Sequence, residues 1–166
     1  MEPVTSAPTT GETAERMFGC FKRMHRLVEG ELSGCGLSLS RTKLLSELSR
    51  NGPLAQGALA TTFGLAPRTV TELIDTLERD RLVERRADPA DRRVRLVHLT
   101  PEGEQARERA VAVKHNVLER VLGALTDQQR TGLITALHLI EAEIEKIDAG
   151  NDTSGGTDRT EPARPL

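Results

Sequence analysis

Six arginines lie between residues 81 and 95, and this cluster is the segment with the clearest capacity for binding chemistry. They are Arg81, Arg85, Arg86, Arg92, Arg93 and Arg95, against three acids, Glu84, Asp88 and Asp91. Guanidinium groups bind phosphates and the major-groove edge of guanine. The whole chain has a net charge of −2, so the positive charge is local. This pattern predicts a protein that contacts nucleic acid through one face.

A helix-turn-helix pattern precedes the arginine cluster. A short helical segment is expected over residues 55–62, ending at Gly64, and a second helix is expected to begin at Pro67. Its positions 70, 73, 74 and 77 are apolar at helical spacing, which predicts a buried face with a polar face opposite. Pro67 suits the first helical position, where its missing N–H costs nothing. Two such helices joined by a short turn are typical of DNA-binding heads.

Two short strands are expected on either side of the arginine-rich tip, at residues 82–86 and 93–99. Between them, Asp88 and Pro89 suit positions i and i+1 of a type I turn. The connection is too long for a tight hairpin, so we expect its tip to project as a β-ribbon.

The remaining segments read as supporting helices. A first helix is expected over residues 13–33, a second from an N-cap at Ser40, a long one after Thr100, and a last one after the capping box at residues 126–129. The last helix carries an apolar seam at heptad-like spacing, which favours lengthwise packing on another helix or subunit: Leu133, Leu137, Ile140, Ile144 and Ile147. The predicted fold is mainly α with a small β-wing, a winged helix-turn-helix of six helices plus a β-hairpin and a helical dimerisation region.

Composition limits the remaining possibilities. The 166 residues suit one domain, with no Trp or Tyr, two cysteines and no apolar run of bilayer length. We therefore expect a cytoplasmic protein with no membrane association and no secretory signal. No metal-ligand spacing, CxxC motif or phosphate-binding glycine loop is present, so we predict no metal, no cofactor and no enzymatic activity.

The order of these elements and their residues resembles the MarR family of bacterial winged helix-turn-helix regulators. The resemblance covers about residues 13–148 and is densest at Asp91-Arg92-Arg93 and Leu99-Thr100-Pro101-Glu102-Gly103, with further matches at residues 59–60, 64–65, 69–71, 74–78 and 82–85. It implies a homodimer that binds double-stranded DNA at a palindromic, inverted-repeat operator. It also implies a repressor released by a small phenolic or other hydrophobic effector, or by oxidation.

The resemblance assigns roles to particular residues. Each recognition helix would enter a major groove and each wing tip an adjacent minor groove, where Arg92 would lie. Asp91 would pair with Arg93 and stiffen the wing. The candidate DNA-contacting residues are Gln56, Pro67, Arg68, Thr69, Thr71, Glu72, Arg92 and Arg93.

Three features depart from the family pattern. Ala55 and Ala66 stand where a Ser or Thr helix cap is usual, at a typical cost of about 1 kcal/mol each. Arg81 stands where Gly is frequent, so either it takes a left-handed backbone or the helix ends differently. Glu72 places a negative charge near DNA, although a carboxylate can accept a hydrogen bond from cytosine N4.

Effector sites are expected in the helical part. The resemblance implies a pocket between the first, second and fifth helices, lined by Phe21, Met24, His25, Leu48 and His115. Cys20 lies on the apolar stripe of the first helix, which favours a buried structural thiol, and a peroxide sensor is the alternative. Cys35, in a glycine-rich loop, is expected to be more exposed and is a second redox candidate.

The predicted organisation is a disordered tail at residues 1–12, a single domain at 13–148 and a disordered tail at 149–166. Within the domain, residues 13–34 and 101–148 would dimerise and residues 39–100 would form the winged head. An alternative function is a winged-helix protein-interaction module that no longer binds DNA, for which Glu72 and the missing caps are the only support. A cytosolic thiol enzyme is a third class and lacks any supporting motif.

Overall fold

The computed structural model describes residues 7–154, which form six helices and a three-stranded antiparallel sheet. The order is α1 (Thr10–Ser33), α2 (Leu39–Asn51), β1 (Leu54–Ala55), α3 (Gln56–Phe63), α4 (Pro67–Arg79), β2 (Val83–Ala87), β3 (Arg95–Leu99), α5 (Pro101–Leu122) and α6 (Asp127–Ser154). The predicted fold class is confirmed. None of these helices is both long and apolar enough to cross a bilayer.

The sheet has one strand more than the sequence predicted. Strand β3 lies in the centre, with β1 on one side and β2 on the other. Leu54 is opposite Val97 in the short β1 pairing, while Val83 through Ala87 pair with Leu99 back to Arg95. Two residues are too few for an alternating pattern, so β1 left no recognisable signal in the sequence.

Contacts within the chain divide it into two units, residues 1–119 and 120–166. The core of the first unit is built from aliphatic side chains of α1–α5 and the sheet. Its largest fully buried members are Leu32, Leu44, Leu45, Leu59, Val70, Ile74, Leu77, Val83 and Val97. The predicted apolar face of α4 is therefore confirmed at Val70, Ile74 and Leu77, whereas Leu73 is only half-buried.

Both tails are more helical than predicted. Helix α1 begins at Thr10 because Thr9 forms a capping box with Glu12: the Glu12 N–H donates to Thr9 Oγ1 at 3.2 Å, and the Thr9 N–H donates to Glu12 Oε2 at 2.8 Å. Helix α6 continues to Ser154, so the disorder predicted for residues 10–12 and 149–154 is wrong. Residues 7–9 have no regular secondary structure, and the other parts of the predicted tails, residues 1–6 and 155–166, lie outside the described residues.

Other helix ends differ by one or two residues. The N-cap of α2 is Ser38 and not Ser40, since Ser38 Oγ accepts the Arg41 N–H and the Glu29 carboxylate accepts the Leu39 N–H at 2.9 Å. Ala55 and Ala66 stand at the N-caps of α3 and α4 without a side-chain hydrogen bond, as expected. Thr100 Oγ1 accepts the Gly103 N–H at 2.9 Å and caps α5, and Thr126 with Gln129 caps α6.

Arg81 takes the left-handed backbone, with φ at +60°. Helix α4 ends in a Schellman motif, in which the Leu82 N–H donates to the Leu77 carbonyl and the Arg81 N–H to the Glu78 carbonyl, both at 2.9 Å. Gly usually occupies this position because it has no Cβ to clash. The helix therefore ends where the family pattern ends it, and Arg81 bears the backbone strain.

Gly103 makes the tightest backbone approach in the head. A Cβ built on Gly103 would lie 1.9 Å from the Leu82 carbonyl oxygen and 2.8 Å from a methyl group of Leu99. The first turn of α5 therefore packs directly on the chain segment between α4 and β2, which only glycine allows.

Gly103→Ala is expected to destabilise the protein by about 3 kcal/mol, because the backbone must shift to relieve the clash with Leu82. Thermal unfolding measures this as a clear drop in Tm. The control is Gly30→Ala, a helical position where an added Cβ meets nothing within 4 Å and where alanine favours the helix. Equal unfolding temperatures for the two variants would contradict the close approach.

Candidate nucleic-acid interface

Helix α4 presents its first turn to solvent. Pro67, Arg68 and Thr69 are exposed, while Val70, Ile74 and Leu77 on the opposite side are buried. The amphipathic pattern fixes this orientation, since rotating the helix would expose three fully buried aliphatic side chains. The three exposed residues are those predicted to contact DNA at the start of the helix.

Arg68 and Glu72 form an ion pair on this exposed face. Arg68 Nε donates to Glu72 Oε1 at 2.9 Å, and the two side chains are 90% and 64% exposed. The spacing of four residues puts them one helical turn apart. Sequence reasoning treated them as separate DNA contacts, and the structure brings them together.

Gln56 and Thr71 are also joined. Gln56 Nε2 donates to Thr71 Oγ1, and the Thr71 hydroxyl donates to the Pro67 carbonyl at 2.9 Å. These two hydrogen bonds link the start of α3 to the first turn of α4. Both residues are half-buried. A phosphate contact from Gln56 stays a prediction, and one of its two amide hydrogens is already committed to Thr71.

The wing tip is held by backbone and aspartate contacts. The Asp88 N–H donates to the Val94 carbonyl at 3.0 Å, and the Val94 N–H to the Asp91 carbonyl at 2.9 Å. Asp91 Oδ1 accepts the main-chain N–H of Arg93 at 2.9 Å. Asp91 therefore contacts Arg93 through the backbone, and within the described residues no ion pair joins their side chains. Arg92 and Arg93 are exposed at the tip.

Arg85 connects the wing to helix α4. Its Nη2 lies 2.5 Å from Asp75 Oδ1, its Nη1 pairs with Glu78 Oε2, and its main-chain N–H donates to Glu78 Oε1 at 3.0 Å. The side chain is only 20% exposed. Burial by itself lowers the pKa of this guanidinium, but the hydrogen bonds and charges of Asp75 and Glu78 outweigh that effect and raise it. Arg85 is thus a fixed positive charge between two carboxylates.

Sequence reasoning missed this role because it counted Arg85 with the surface arginines. One signal was available: Arg85 lies two residues after Val83 in a strand, so both side chains point to the same face, and Val83 is buried. Arg41 plays a similar part at the other end of the helix. It pairs with Asp80, the C-cap of α4, and donates to the Gly36 carbonyl at 2.8 Å.

The structure brings three of the five residues predicted for the effector pocket to one groove, and the effector role stays a prediction. A groove of about 520 Å³ is lined by three of the predicted residues, Phe21, Met24 and His25, together with Phe18, Lys22, Val28, Leu39, Lys114 and Leu118. Leu48 is instead buried in the core, 2% exposed. His115 lies outside the groove, with Nε2 3.8 Å from Glu119. Lys114, the residue before it, lines the groove, because a step of one residue turns a helix by about 100°.

Both cysteines are exposed in the isolated chain. The rest of the described chain therefore does not bury Cys20, contrary to the expectation. The stripe on α1 that contains it buries Val28 near the C-terminal end, whereas Phe21 and Leu27 are 47% and 45% exposed. No described residue of α2–α5 covers the N-terminal half of that stripe enough to bury it.

Comparisons with known proteins agree with this geometry. A family model described as the MarR family matches residues 37–94, from the loop before α2 to the wing tip. YsmB of Bacillus subtilis (strain 168), an uncharacterised HTH-type transcriptional regulator, is 34% identical over 95 residues. That alignment covers 57% of this chain and 65% of YsmB, so the chain spans just under two thirds of that relative's length.

The HTH-type transcriptional repressor YetL of the same organism is 28% identical over 123 residues, covering 73% of this chain and 74% of YetL. Among solved structures, apo wild-type MarR from E. coli aligns over 81% of this chain and 98% of its own, with a TM-score of 0.68 and 20% identity. At that identity the likeness supports the fold alone.

Arg85→Met is expected to loosen the wing, because it keeps the aliphatic packing but leaves Asp75 and Glu78 without their cation. The loss is expected to be about 2 kcal/mol, the scale of hydrogen bonds to charged groups. Hydrogen exchange at the β2 amides and thermal unfolding measure it. Arg86→Met is the matched control, since the Arg86 side chain is 60% exposed and forms an ion pair with Glu84 on its own strand. Equal β2 protection in both variants would show that Arg85 does not hold the wing.

Proposed function

We propose that this chain, whose residues 37–94 match the MarR family model, is a homodimeric repressor that binds an inverted-repeat operator and leaves it when an effector binds. MarR-family regulators bind DNA and act as dimers. The relative YetL carries the description of a repressor. The protein would act in the bacterial cytoplasm, where its operator is accessible. The match to a family of transcriptional regulators does not favour the alternative of an interaction module without DNA binding.

The observation that carries the proposal is the Arg85 contact between wing and helix. It holds β2 against α4, so the exposed first turn of α4 and the arginines of the wing tip belong to one rigid head. Arg68 and Thr69 would lie in the major groove, and Arg92 would enter the adjacent minor groove, whose negative potential attracts a guanidinium. Arg93 and Gln56 would contact the phosphate backbone.

Exposed apolar side chains support the dimer. On α6, Leu133, Ile140, Ile144 and Ile147 of the predicted seam are between 40% and 57% exposed, and Leu137 is half-buried. On α1, Phe18 is 68% exposed. Contiguous apolar surface of this kind marks interaction sites. Two heads held about 34 Å apart by such an interface would match successive major grooves on one side of DNA.

The groove at Phe21, Met24 and His25 is the proposed effector site. Its walls are mainly apolar, and Lys22 and Lys114 add positive charge. That combination suits a small aromatic molecule with an acidic group, such as a phenolic compound. The exposed thiols of Cys20 and Cys35 support oxidation as the alternative signal.

DNA binding is tested with duplexes selected from a random pool by the purified protein. Arg92→Ala is expected to weaken binding to all duplexes and to reduce the slope of log K against log salt by about 2 per dimer, one for each lost phosphate-region contact. Arg68→Ala is expected to flatten base preference at one position of each half-site. Arg109→Ala, an exposed arginine on α5, controls for net charge. Selection of no common motif by the wild-type protein would overturn the proposal.

Dimerisation is tested by Ile144→Glu. If α6 lies in the interface, a buried unpaired carboxylate is expected to weaken the dimer by about 3 kcal/mol, on the order of a hundredfold. Sedimentation velocity over a concentration series measures the dissociation constant, and Glu145→Gln on the same helix is the control. An unchanged dimer in Ile144→Glu would exclude this face of α6 from the interface.

A further inference from the structure

We propose that Glu72 sets the base specificity of the recognition helix by positioning Arg68, at a cost in general affinity for DNA. The inference rests on the proposed DNA-binding function. It concerns a residue whose negative charge otherwise works against that function, because a carboxylate near phosphates repels them within a Debye length of about 10 Å.

Glu72 differs from the other acidic residues of α4 and its C-cap in the partner with which it forms an ion pair. Asp75 and Glu78 bind Arg85 of the wing, and Asp80 at the C-cap binds Arg41 of α2. Each of these pairs joins α4 to another element, so each has a structural purpose. The Glu72 pair joins α4 only to itself, on the face that Pro67, Arg68 and Thr69 expose.

Stability does not account for the pair. With the side chains 90% and 64% exposed, it is an ordinary surface pair of a type that contributes little to stability. A protein with a neutral residue at position 72 would be about equally stable and would bind phosphate-rich surfaces better. A carboxylate in this place therefore needs a reason in recognition.

The hydrogen-bond geometry supplies that reason. Glu72 Oε1 accepts from Nε of Arg68 at 2.9 Å, which restrains the long side chain and leaves the four N–H groups of Nη1 and Nη2. None of those four has an acceptor among the residues described. An arginine held in this way offers its end-on pair of donors to guanine O6 and N7. An unrestrained arginine can instead turn to a phosphate, which carries no sequence information.

Glu72 also disfavours binding to DNA sites that lack the guanine. If Arg68 swings away to a phosphate, Glu72 loses its partner and stays as an uncompensated charge in the groove. Binding to a site without guanine is thereby disfavoured, so the pair raises the ratio of specific to non-specific binding while lowering both affinities.

The test compares the selected motif and the affinity for an unrelated duplex across the wild-type protein, Arg68→Ala, Glu72→Gln, the double variant and Glu84→Gln. Glu72→Gln is expected to bind the unrelated duplex more tightly and to lose about tenfold in preference for guanine at the position that Arg68→Ala flattens. Replacing that guanine by 7-deazaguanine is expected to weaken the wild-type protein more than Glu72→Gln. In the double variant the two effects on preference are expected not to add.

Glu84→Gln is the matched control, because it removes one carboxylate from the wing strand β2 and leaves Arg68 and Glu72 intact. It is expected to raise general affinity without changing guanine preference. If Glu72→Gln selects the same DNA motif as the wild-type protein, as Glu84→Gln is expected to do, the positioning role is overturned while DNA binding stands. If the wild-type protein selects no motif, both the positioning role and the proposed function fail.

Discussion

Arg81 and Leu82, in the three-residue link between α4 and β2, are the constraint on which the head depends. The Leu82 N–H donates to the Leu77 carbonyl and ends α4, and the Leu82 carbonyl accepts the Thr100 N–H at 3.2 Å. The Arg81 carbonyl accepts the Thr100 hydroxyl at 2.8 Å, and Gly103 packs against the Leu82 oxygen. The end of α4, the start of the wing and the start of α5 therefore meet at Arg81 and Leu82. Movement of any one of them disturbs the other two.

Arginines around this junction divide into two groups by burial. Arg85 and Arg41, with side chains 20% and 15% exposed, point inward and hold α4 to the wing and to α2. Arg68, Arg92 and Arg93 point to solvent. Asp75, Glu78 and the C-cap residue Asp80 hold the inward group, so most of the carboxylates on and next to α4 are paired within the fold. Burial thus turns part of an apparent DNA-binding cluster into the scaffold that presents the rest.

The helices outside the head expose more of their apolar side chains to solvent. The predicted seam of α6 and the N-terminal half of the α1 stripe are largely exposed in the isolated chain, while the same stripe buries Val28 and Leu32 nearer the core. Heptad spacing predicts that a face will pack, but it gives no information on which chain supplies the partner. These exposed side chains are the surface that the proposed dimer would cover.

The sequence by itself determined the order of the elements, the buried face of α4, the missing caps at Ala55 and Ala66, and the ends marked by Gly64 and Thr100. These follow from local rules of periodicity, capping and turn chemistry. Only the tertiary structure decided that β1 exists, that Arg85 belongs to the scaffold, that Gln56 pairs with Thr71, and that Leu48 and His115 lie outside the groove. Those features depend on side-chain direction and on contacts between residues that the sequence pattern does not relate.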